Sequence, residues 1–313
     1  MRILQELDIN ARQPIAAIAK KIGLSKELTS YRIRQLEKKQ IISDYYSLYN
    51  VAKLGYNLYK VYIKLQNLSK KNEEEFIRYL GKIKQVGLIA TSSGNYDLEV
   101  GIVGKNLVEF HEILEQIIKD YGIYIKAKDV TTNIEMWQYN RKYLFDENPK
   151  IEEYHYFAKE KSEDYDKKDE EIMRCLAHEG RKTNTEIEKV LRISRKVVGN
   201  RIKNLMKKSI ILGFRPIIKR EKLDLAYFRI LVKLQSIKEE RLKQMLYQLK
   251  INKNVVYVIK CIGPWELEIE IEIENSKKCH DIIRDLKQNF SDIIADTQMI
   301  EIFEDHKYEF VMN

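Results

Sequence analysis

The sequence predicts an α+β protein made of two tandem copies of one unit, each a three-helix module followed by a sheet domain of order βαββαβ. Three observations support this prediction. The chain of 313 residues matches itself without a gap when it is shifted by 169 residues. The first 50 residues or so of each copy have apolar residues at helical spacing, and most of the following segments alternate as strands do.

The repeat keeps one register over most of each copy. Ile18 falls on Ile187, Arg32 on Arg201, Gly94 on Gly263 and His111 on His280. A register held over so many residues indicates duplication of a whole unit. The predicted domains are a winged helix-turn-helix at 1–50, a ferredoxin-like sheet domain at 51–144, an acidic linker at 145–169, a second winged helix-turn-helix at 170–219 and a second sheet domain at 220–313.

The positive charge is concentrated in the two helical modules. The whole chain carries a net charge of +9. Residues 1–50 contain nine basic and five acidic residues, and residues 170–219 contain thirteen and five, so these modules carry +4 and +8. The linker carries nine acids and five bases. A basic surface of this kind is typical of proteins that bind a polyanion.

Other features exclude several classes of protein. The three cysteines, Cys175, Cys261 and Cys279, have no framework spacing, which predicts reduced thiols and a cytoplasmic location. No signal peptide and no membrane span is predicted. Phosphate-binding loops, nucleophile motifs and zinc signatures are not found, so no cofactor, no metal and no enzymatic activity is predicted.

The first 50 residues predict three short helices and a hairpin. Gly23 ends the second helix, and Ser25 caps the third, which gives a helix-turn-helix whose third helix enters the major groove of DNA. The second copy repeats this pattern around Ser194. The predicted DNA contacts face outward on the two recognition helices: Ser25, Lys26, Ser30, Tyr31, Arg34, Lys38, Ser194, Arg195, Lys196, Asn200, Lys203 and Lys207.

The combined pattern resembles the Lrp/AsnC family of leucine-responsive, or feast/famine, transcription regulators. The resemblance rests on IAKKIGLS, YRIRQLEKKQII and Gly94-Asn95-Tyr96-Asp97 in the first copy, and on RISRKVVGNRIKNLMKKSIILGF and Gly263-Pro264-Trp265-Glu266 in the second. It implies a winged module that binds double-stranded DNA and a ferredoxin-like RAM domain. RAM domains pair through their sheets and often bind an amino acid near the subunit interface.

The resemblance also implies candidate effector-binding residues in the turn between the two central strands of each RAM domain. They are Gly94, Asn95, Tyr96 and Asp97, with Gly263, Trp265 and Glu266 in the second copy. The second copy has Pro-Trp-Glu where the first has Asn-Tyr-Asp, and a purely structural role for these turns is the other interpretation.

Two fused units predict a pseudo-dimer within one chain, although pairing between chains is equally allowed. The recognition helices have diverged, so an asymmetric DNA site is expected. Residues 194–208 carry six bases and no acid, whereas residues 25–39 carry five bases and two acids. We therefore expect the second module to bind phosphate more strongly, and Glu27 makes the first module the better candidate for loss of DNA contact.

Two alternatives stay open. Siroheme decarboxylases are similar to this family in fold, and a fused pair would suit such a tetrapyrrole enzyme. A protein-interaction scaffold that has lost DNA binding is the second alternative. His111 and His280 share a repeat position, but their spacing favours surface histidines over metal ligands. The run ELEIEIEIE at 266–274 alternates, and its acidic face is predicted to face water.

Overall fold

The structure is a computed structural model that describes residues 1–145, 151–156, 160–177, 179–235 and 238–310. The ten helices of this part of the chain are α1 (Arg2–Ile9), α2 (Ile15–Ile22), α3 (Lys26–Lys38), α4 (Lys70–Lys82), α5 (Leu107–Tyr121), α6 (Lys167–Ala177), α7 (Asn184–Leu191), α8 (Arg195–Lys207), α9 (Glu239–Ile251) and α10 (Ser276–Asn289). The eleven strands are β1 (Ile42–Tyr49), β2 (Asn57–Leu65), β3 (Val86–Ser93), β4 (Leu98–Gly104), β5 (Ile125–Tyr139), β6 (Glu153–Tyr156), β7 (Ile211–Ile218), β8 (Ala226–Leu234), β9 (Val255–Ile262), β10 (Leu267–Ile273) and β11 (Ile294–Tyr308).

The two three-helix modules share one hydrophobic core. Leu7 and Ile18 of the first module and Ile172 and Ile187 of the second are fully buried in the same cluster. Burial of apolar side chains on both sides of the boundary stabilises the modules as one body. The tandem fold predicted from the repeat is confirmed, and the two modules pair within one chain.

The strand after each recognition helix differs from the prediction. In the described residues it forms no hairpin within its own module. Instead β1 pairs antiparallel with β7 of the other module, and Tyr46 lies opposite Arg215. These two residues are 169 apart, so they occupy one repeat position and mark the pseudo-two-fold axis that relates the copies. The prediction of a hairpin was wrong because, in the described residues, each module has a single strand after its recognition helix, and that strand pairs with its counterpart in the other module.

The sheet domains follow the predicted order βαββαβ in both copies: β2, α4, β3, β4, α5 and β5, then β8, α9, β9, β10, α10 and β11. Their strands join in one sheet of order β2-β4-β3-β11-β8-β10-β9-β5-β6, and β2 also pairs with β5. Eight strands therefore close into a barrel. The four RAM helices pack on its outer surface, and a second set of side chains fills its interior.

The barrel has two inter-unit seams that obey the same pseudo-two-fold axis. β3 pairs with β11, with Ser93 opposite Glu301, and β5 pairs with β9, with Thr132 opposite Ile262. A shift of 169 residues converts one pairing into the other. Because each long strand leaves its own sheet to join the other unit, backbone hydrogen bonds hold the pseudo-dimer together.

The linker contributes one strand. Its residues 153–156 form β6, which pairs antiparallel with the last four residues of β5, so that Met136 lies opposite Tyr156. The linker then runs to Asp166, which precedes α6. Here Asp166 and Asp169 each accept a hydrogen bond from the other's backbone N–H and cap the helix.

Candidate nucleic-acid interface

The turn before each recognition helix is built from local chemistry. Gly23 adopts φ +72°, a left-handed conformation that glycine reaches without strain. The Ser25 hydroxyl then accepts a hydrogen bond from the Leu28 backbone N–H at 3.1 Å. In the second copy Arg192 takes the left-handed position, and Ser194 accepts from Val197 N at 3.4 Å. The two predicted serines therefore act as helix caps, with exposed backbone around them.

The outward face of α3 is exposed along its length. Lys26, Arg34 and Lys38 are exposed, and Tyr31 leaves 53% of its surface to solvent. Ser30 is only half-buried, whereas Thr29 and Ile33 are buried on the opposite face. The predicted residues thus share one accessible side of the helix. Glu27 lies beside them in the first turn. There its negative charge interacts favourably with the helix dipole but would repel a phosphate group.

The outward face of α8 carries a different set of side chains. Arg195, Lys196, Asn200, Lys203 and Lys207 are all exposed, while Val198, Ile202 and Leu205 are buried beneath them. Both recognition helices are therefore available to a nucleic-acid groove, and they present different side chains to it.

The sequence pattern also places Gly199 on the outward side of α8, next to Asn200, but the structure does not. Gly199 is half-buried, and a Cβ at this position would come within 2.9 Å of the Asn184 side chain. That amide also accepts a hydrogen bond at 2.9 Å from Arg12 of the first module. Gly199 therefore lets α7 and α8 of the second module approach closely.

Two of the six bases counted in residues 194–208 are engaged within the chain. Arg201 forms ion pairs of 2.8 Å with both Asp166 and Asp169, and this raises the pKa of its guanidinium. Lys208 donates to the Asp164 carbonyl. Four exposed bases remain on α8, whereas all five bases of residues 25–39 are exposed. The difference in phosphate binding that the charge count predicts is therefore smaller in the folded protein.

Contacts between the modules fix the relative positions of the recognition helices. Arg12 donates to the Gly180 carbonyl at 3.1 Å and also to the Lys182 carbonyl. The Tyr49 hydroxyl donates to Met173 O at 2.8 Å. An arrangement fixed in this way sets the spacing of two contacts on a duplex.

The predicted effector turn of the first copy lies against the other unit. Gly94 has φ +106° and faces the Met299 carbonyl, and the Asn95 amide donates to the Gln298 side chain at 3.0 Å. Tyr96 is buried, whereas Gly94 and Asn95 are exposed.

Asp97 has a structural role in this turn. Its carboxylate accepts from Lys64 Nζ and from the Leu65 backbone N–H, both at 2.8 Å. The turn is thus tied to strand β2 of its own unit.

The second turn repeats this arrangement with different side chains. Gly263 faces the backbone of Val130 and Thr131 in the first unit. Glu266 accepts from the Leu234 backbone N–H at 2.7 Å, as Asp97 does in the first copy. Trp265 is buried, and its indole N–H donates to Glu268 at 3.1 Å. Each turn therefore lies at the boundary between the two units.

Sequence reasoning missed a cluster of buried charges inside the barrel. Lys60 lies 2.6 Å from Glu268 and 3.3 Å from Glu99, and Arg229 contacts Glu99 and lies 2.6 Å from Glu270. Lys60 and Arg229 share one repeat position, and Glu99 and Glu268 share another. The signal that was available is a charged residue at the same place in an apolar strand of both copies.

This cluster corrects the interpretation of residues 266–274. Glu268, Glu270 and Glu272 are 0–5% exposed, so the acidic face of β10 lies inside the barrel and the apolar face packs under the helices. Burial raises the pKa of the Glu268 carboxyl, but Lys60 and Arg229 more than offset this, so that its pKa lies below the usual range. The carboxylates are paired with cations that no alternation pattern reveals.

The histidines and cysteines form no reactive group in the described residues. No cluster of three metal-binding side chains is present in that part of the chain. His111 is exposed on α5, 3.3 Å from Glu115, and His280 is exposed on α10. Burial raises the pKa of the Cys279 thiol to about 12. None of the helices in the described ranges has the length and apolarity needed to cross a bilayer.

Comparison with known proteins agrees with the helical modules. The winged helix-turn-helix DNA-binding family matches residues 1–43 and 165–211. The chain is 30% identical over 114 residues to the proline dehydrogenase transcriptional activator of Rhodobacter capsulatus, which covers 36% of this chain and 74% of that protein. It is 39% identical over 85 residues to the transcriptional regulator LrpA of Pyrococcus horikoshii, which covers 25% of this chain and 60% of LrpA.

Among solved structures, one enzyme superposes on the tandem architecture. The siroheme decarboxylase NirDL, solved in complex with an iron-uroporphyrin III analogue, covers 99% of this chain and 93% of its own, with a TM-score of 0.66 and 10% identity. The similarity shows a common fold. It contradicts the prediction that the chain is not an enzyme, because a protein with this arrangement over nearly the whole length is one.

Proposed function

The chain belongs to the Lrp/AsnC family of transcriptional regulators, and on that premise we propose that it binds double-stranded DNA through α3 and α8 and regulates transcription. One observation carries the proposal. Two recognition helices, fixed to each other by a shared core, expose basic side chains and leave Tyr31 and Asn200 accessible for base contacts.

The physical basis of affinity is the pairing of Lys and Arg with phosphate. Each phosphate contact releases counterions and adds about 0.9 to the slope of log K against log salt. Arg195, Lys196, Lys203 and Lys207 of α8 are placed for such contacts, as are the bases of α3. Sequence preference then rests on the side chains that differ between the two helices.

The test is DNA binding by fluorescence anisotropy at several salt concentrations, with genomic fragments selected by the protein. Charge reversal by Lys203→Glu or Arg34→Glu is expected to weaken binding and to lower the salt slope by about one contact each. The matched control is Lys119→Glu, on the exposed face of α5. Salt-insensitive binding, or an equal loss in the control, would contradict the proposal.

We further propose that an amino acid binds at the two inter-unit turns and modulates DNA binding. The proposal is supported by membership of the family and by the position of Gly94 and Gly263 against the other unit. A ligand at either turn would contact both units and could shift their relative positions. Calorimetric titration with each amino acid, followed by the variant Asn95→Ala, tests it; no binding by any amino acid would refute it.

A second candidate function is that of a tetrapyrrole enzyme, and it is favoured by the similarity to siroheme decarboxylase over 99% of the chain. The measurement is a titration with siroheme, monitored by its absorbance, followed by chromatography for a decarboxylated product. An unchanged spectrum would remove this candidate.

A regulator that binds chromosomal DNA works where the chromosome lies, so we place this protein in the cytoplasm. The family relationship supports this location.

A further inference from the structure

The two copies differ at the end of their long strands. In the first copy, residues 136–139 of β5 have β9 on one side and β6 on the other. In the second copy, the equivalent residues 305–308 of β11 have β3 on one side. On the other side, pairing with β8 ends at Ile302, and the described residues supply no strand beyond it. The end of β11 is thus an open sheet edge.

Solvent exposure reports the same difference. Met136 is 6% exposed and Gln138 2% exposed in the first copy. Of their equivalents in the second copy, Asp305 is exposed and Lys307 is half-buried. The missing strand therefore accounts for the accessible surface in the second copy.

The helix beside each edge forms a groove that is filled in one copy and open in the other. In the first copy, Trp137 and Ile151 pack on the core next to α9, and the carboxylate of Glu153 lies 3.0 Å from Lys250 Nζ. His155 stacks on Trp137 with ring centroids 4.9 Å apart. β6 thus binds by backbone pairing, by one acid and by one stacked ring.

In the second copy the same place is an open cavity of about 560 Å³ between α4 and β11. Arg78, His306 and Lys307 line it, together with Glu74. Arg78 is exposed and makes no ion pair within the described chain, and Lys307 donates to the Gly81 carbonyl at 3.2 Å. Two cationic side chains, Arg78 and Lys307, and the His306 ring line the groove with one acid, while Glu304 lies 3.7 Å from His306 at its border. Arg78 and Lys307 make the groove complementary to an acidic strand.

We propose that the groove between α4 and the open edge of β11 is a docking site for an extended acidic-aromatic peptide segment of a partner protein. The segment adds a strand to β11 by backbone hydrogen bonds, as β6 does to β5. Its acidic side chains face Arg78 and Lys307, and an aromatic ring stacks on His306, which occupies the repeat position of Trp137. This proposal does not depend on DNA binding.

A peptide taken from the first copy serves as the probe, and a substitution beside the filled groove serves as the control. The probe is a labelled, end-blocked peptide Ile-Glu-Glu-Tyr-His-Tyr, which is residues 151–156 and contains β6, titrated into the full-length protein by fluorescence anisotropy. Arg78→Glu is expected to weaken binding about five-fold, the effect of one lost charge pair. Tyr247→Glu, at the equivalent position of α9 beside the filled groove and 65% exposed in the native chain, is expected to change nothing.

A charge swap separates docking from damage to the fold. The peptide Ile-Lys-Lys-Tyr-His-Tyr should bind Arg78→Glu better than it binds the native protein. The proposal is overturned if the native protein binds no β6 peptide, which would mean that the charged edge only guards against aggregation. It is also overturned if Tyr247→Glu weakens binding, or if neither substitution does, because the peptide would then lie elsewhere.

Discussion

Charged side chains are buried inside the barrel, where each depends on its partners. Lys60 and Arg229 are 3% exposed, and each contacts carboxylates of both units. Charges withdrawn from water are costly unless they are paired, so each member of the cluster depends on the others. The cluster therefore links the two units at the centre of the barrel.

Removal of one cation tests this dependence. Arg229→Met should lower the free energy of unfolding by about 3–5 kcal/mol, because it removes one of two buried cations and leaves Lys60 alone to compensate Glu99, Glu268 and Glu270. Urea unfolding followed by circular dichroism measures the loss. Lys233→Met, at an exposed position of the same strand, is the control and should stay near the native value; equal losses in both variants would disprove the interpretation.

The buried side chain of Lys142 predicts that the free energy of unfolding depends on pH. Burial, with a contribution from Arg215, lowers the pKa of Lys142 from 10.5 to about 7. Between these values the unfolded chain binds more protons than the folded one, so the free energy of unfolding should rise with pH across this window.

The variant Lys142→Met removes that titration. Urea midpoints of the native protein and the variant, compared at about pH 7 and about pH 9, should show a steeper rise in the native protein. Parallel pH profiles would show that Lys142 titrates as it does in the unfolded chain.

At the scale of elements, acidic residues before and within α6 reduce the number of bases that the second recognition helix offers to DNA. The acidic segment before α6 reaches α8, where Asp166 and Asp169 hold Arg201. The sequence predicts six bases for DNA on this helix segment, and the fold withdraws two of them. Arg201 and Asp166 are 35 residues apart in the sequence, so tertiary packing determines that they pair.

Loss of one of the two carboxylates that hold Arg201 should strengthen DNA binding, even though Asp169 still pairs with it. In Asp166→Asn the amide retains the cap of α6 but loses the charge, so affinity for DNA should rise and the salt slope should become steeper. Glu170→Gln, at a half-buried position of the same helix that does not contact Arg201, is the control. Anisotropy that shows no gain, or an equal gain in both variants, would mean that Arg201 takes no part in binding.

At the scale of the molecule, one chain forms what two subunits form in a symmetric dimer. The ribbon β1–β7 and the two barrel seams obey one pseudo-two-fold axis. The recognition helices are related by that axis but carry different side chains. A protein of this form should protect a DNA site whose two halves differ.

A helix graft tests the asymmetry. Four substitutions, Arg195→Lys, Lys196→Glu, Asn200→Tyr and Lys203→Arg, give α8 the outward residues of α3. The site selected from a random DNA library should change from unequal halves towards a palindrome. Arg195→Lys alone is the control and should keep the native site; a native protein that already selects a palindrome would contradict the prediction.

The sequence by itself determined the duplication, the order of helices and strands, and the exposed face of each recognition helix. These features are local, because capping, turns and apolar periodicity act within a few residues. Tertiary structure decided which strands pair across the units, that β10 turns its glutamates inward, and that the linker adds a strand to only one copy. Alternation shows that two faces of a strand differ, but only the partners beyond the strand determine which face meets water.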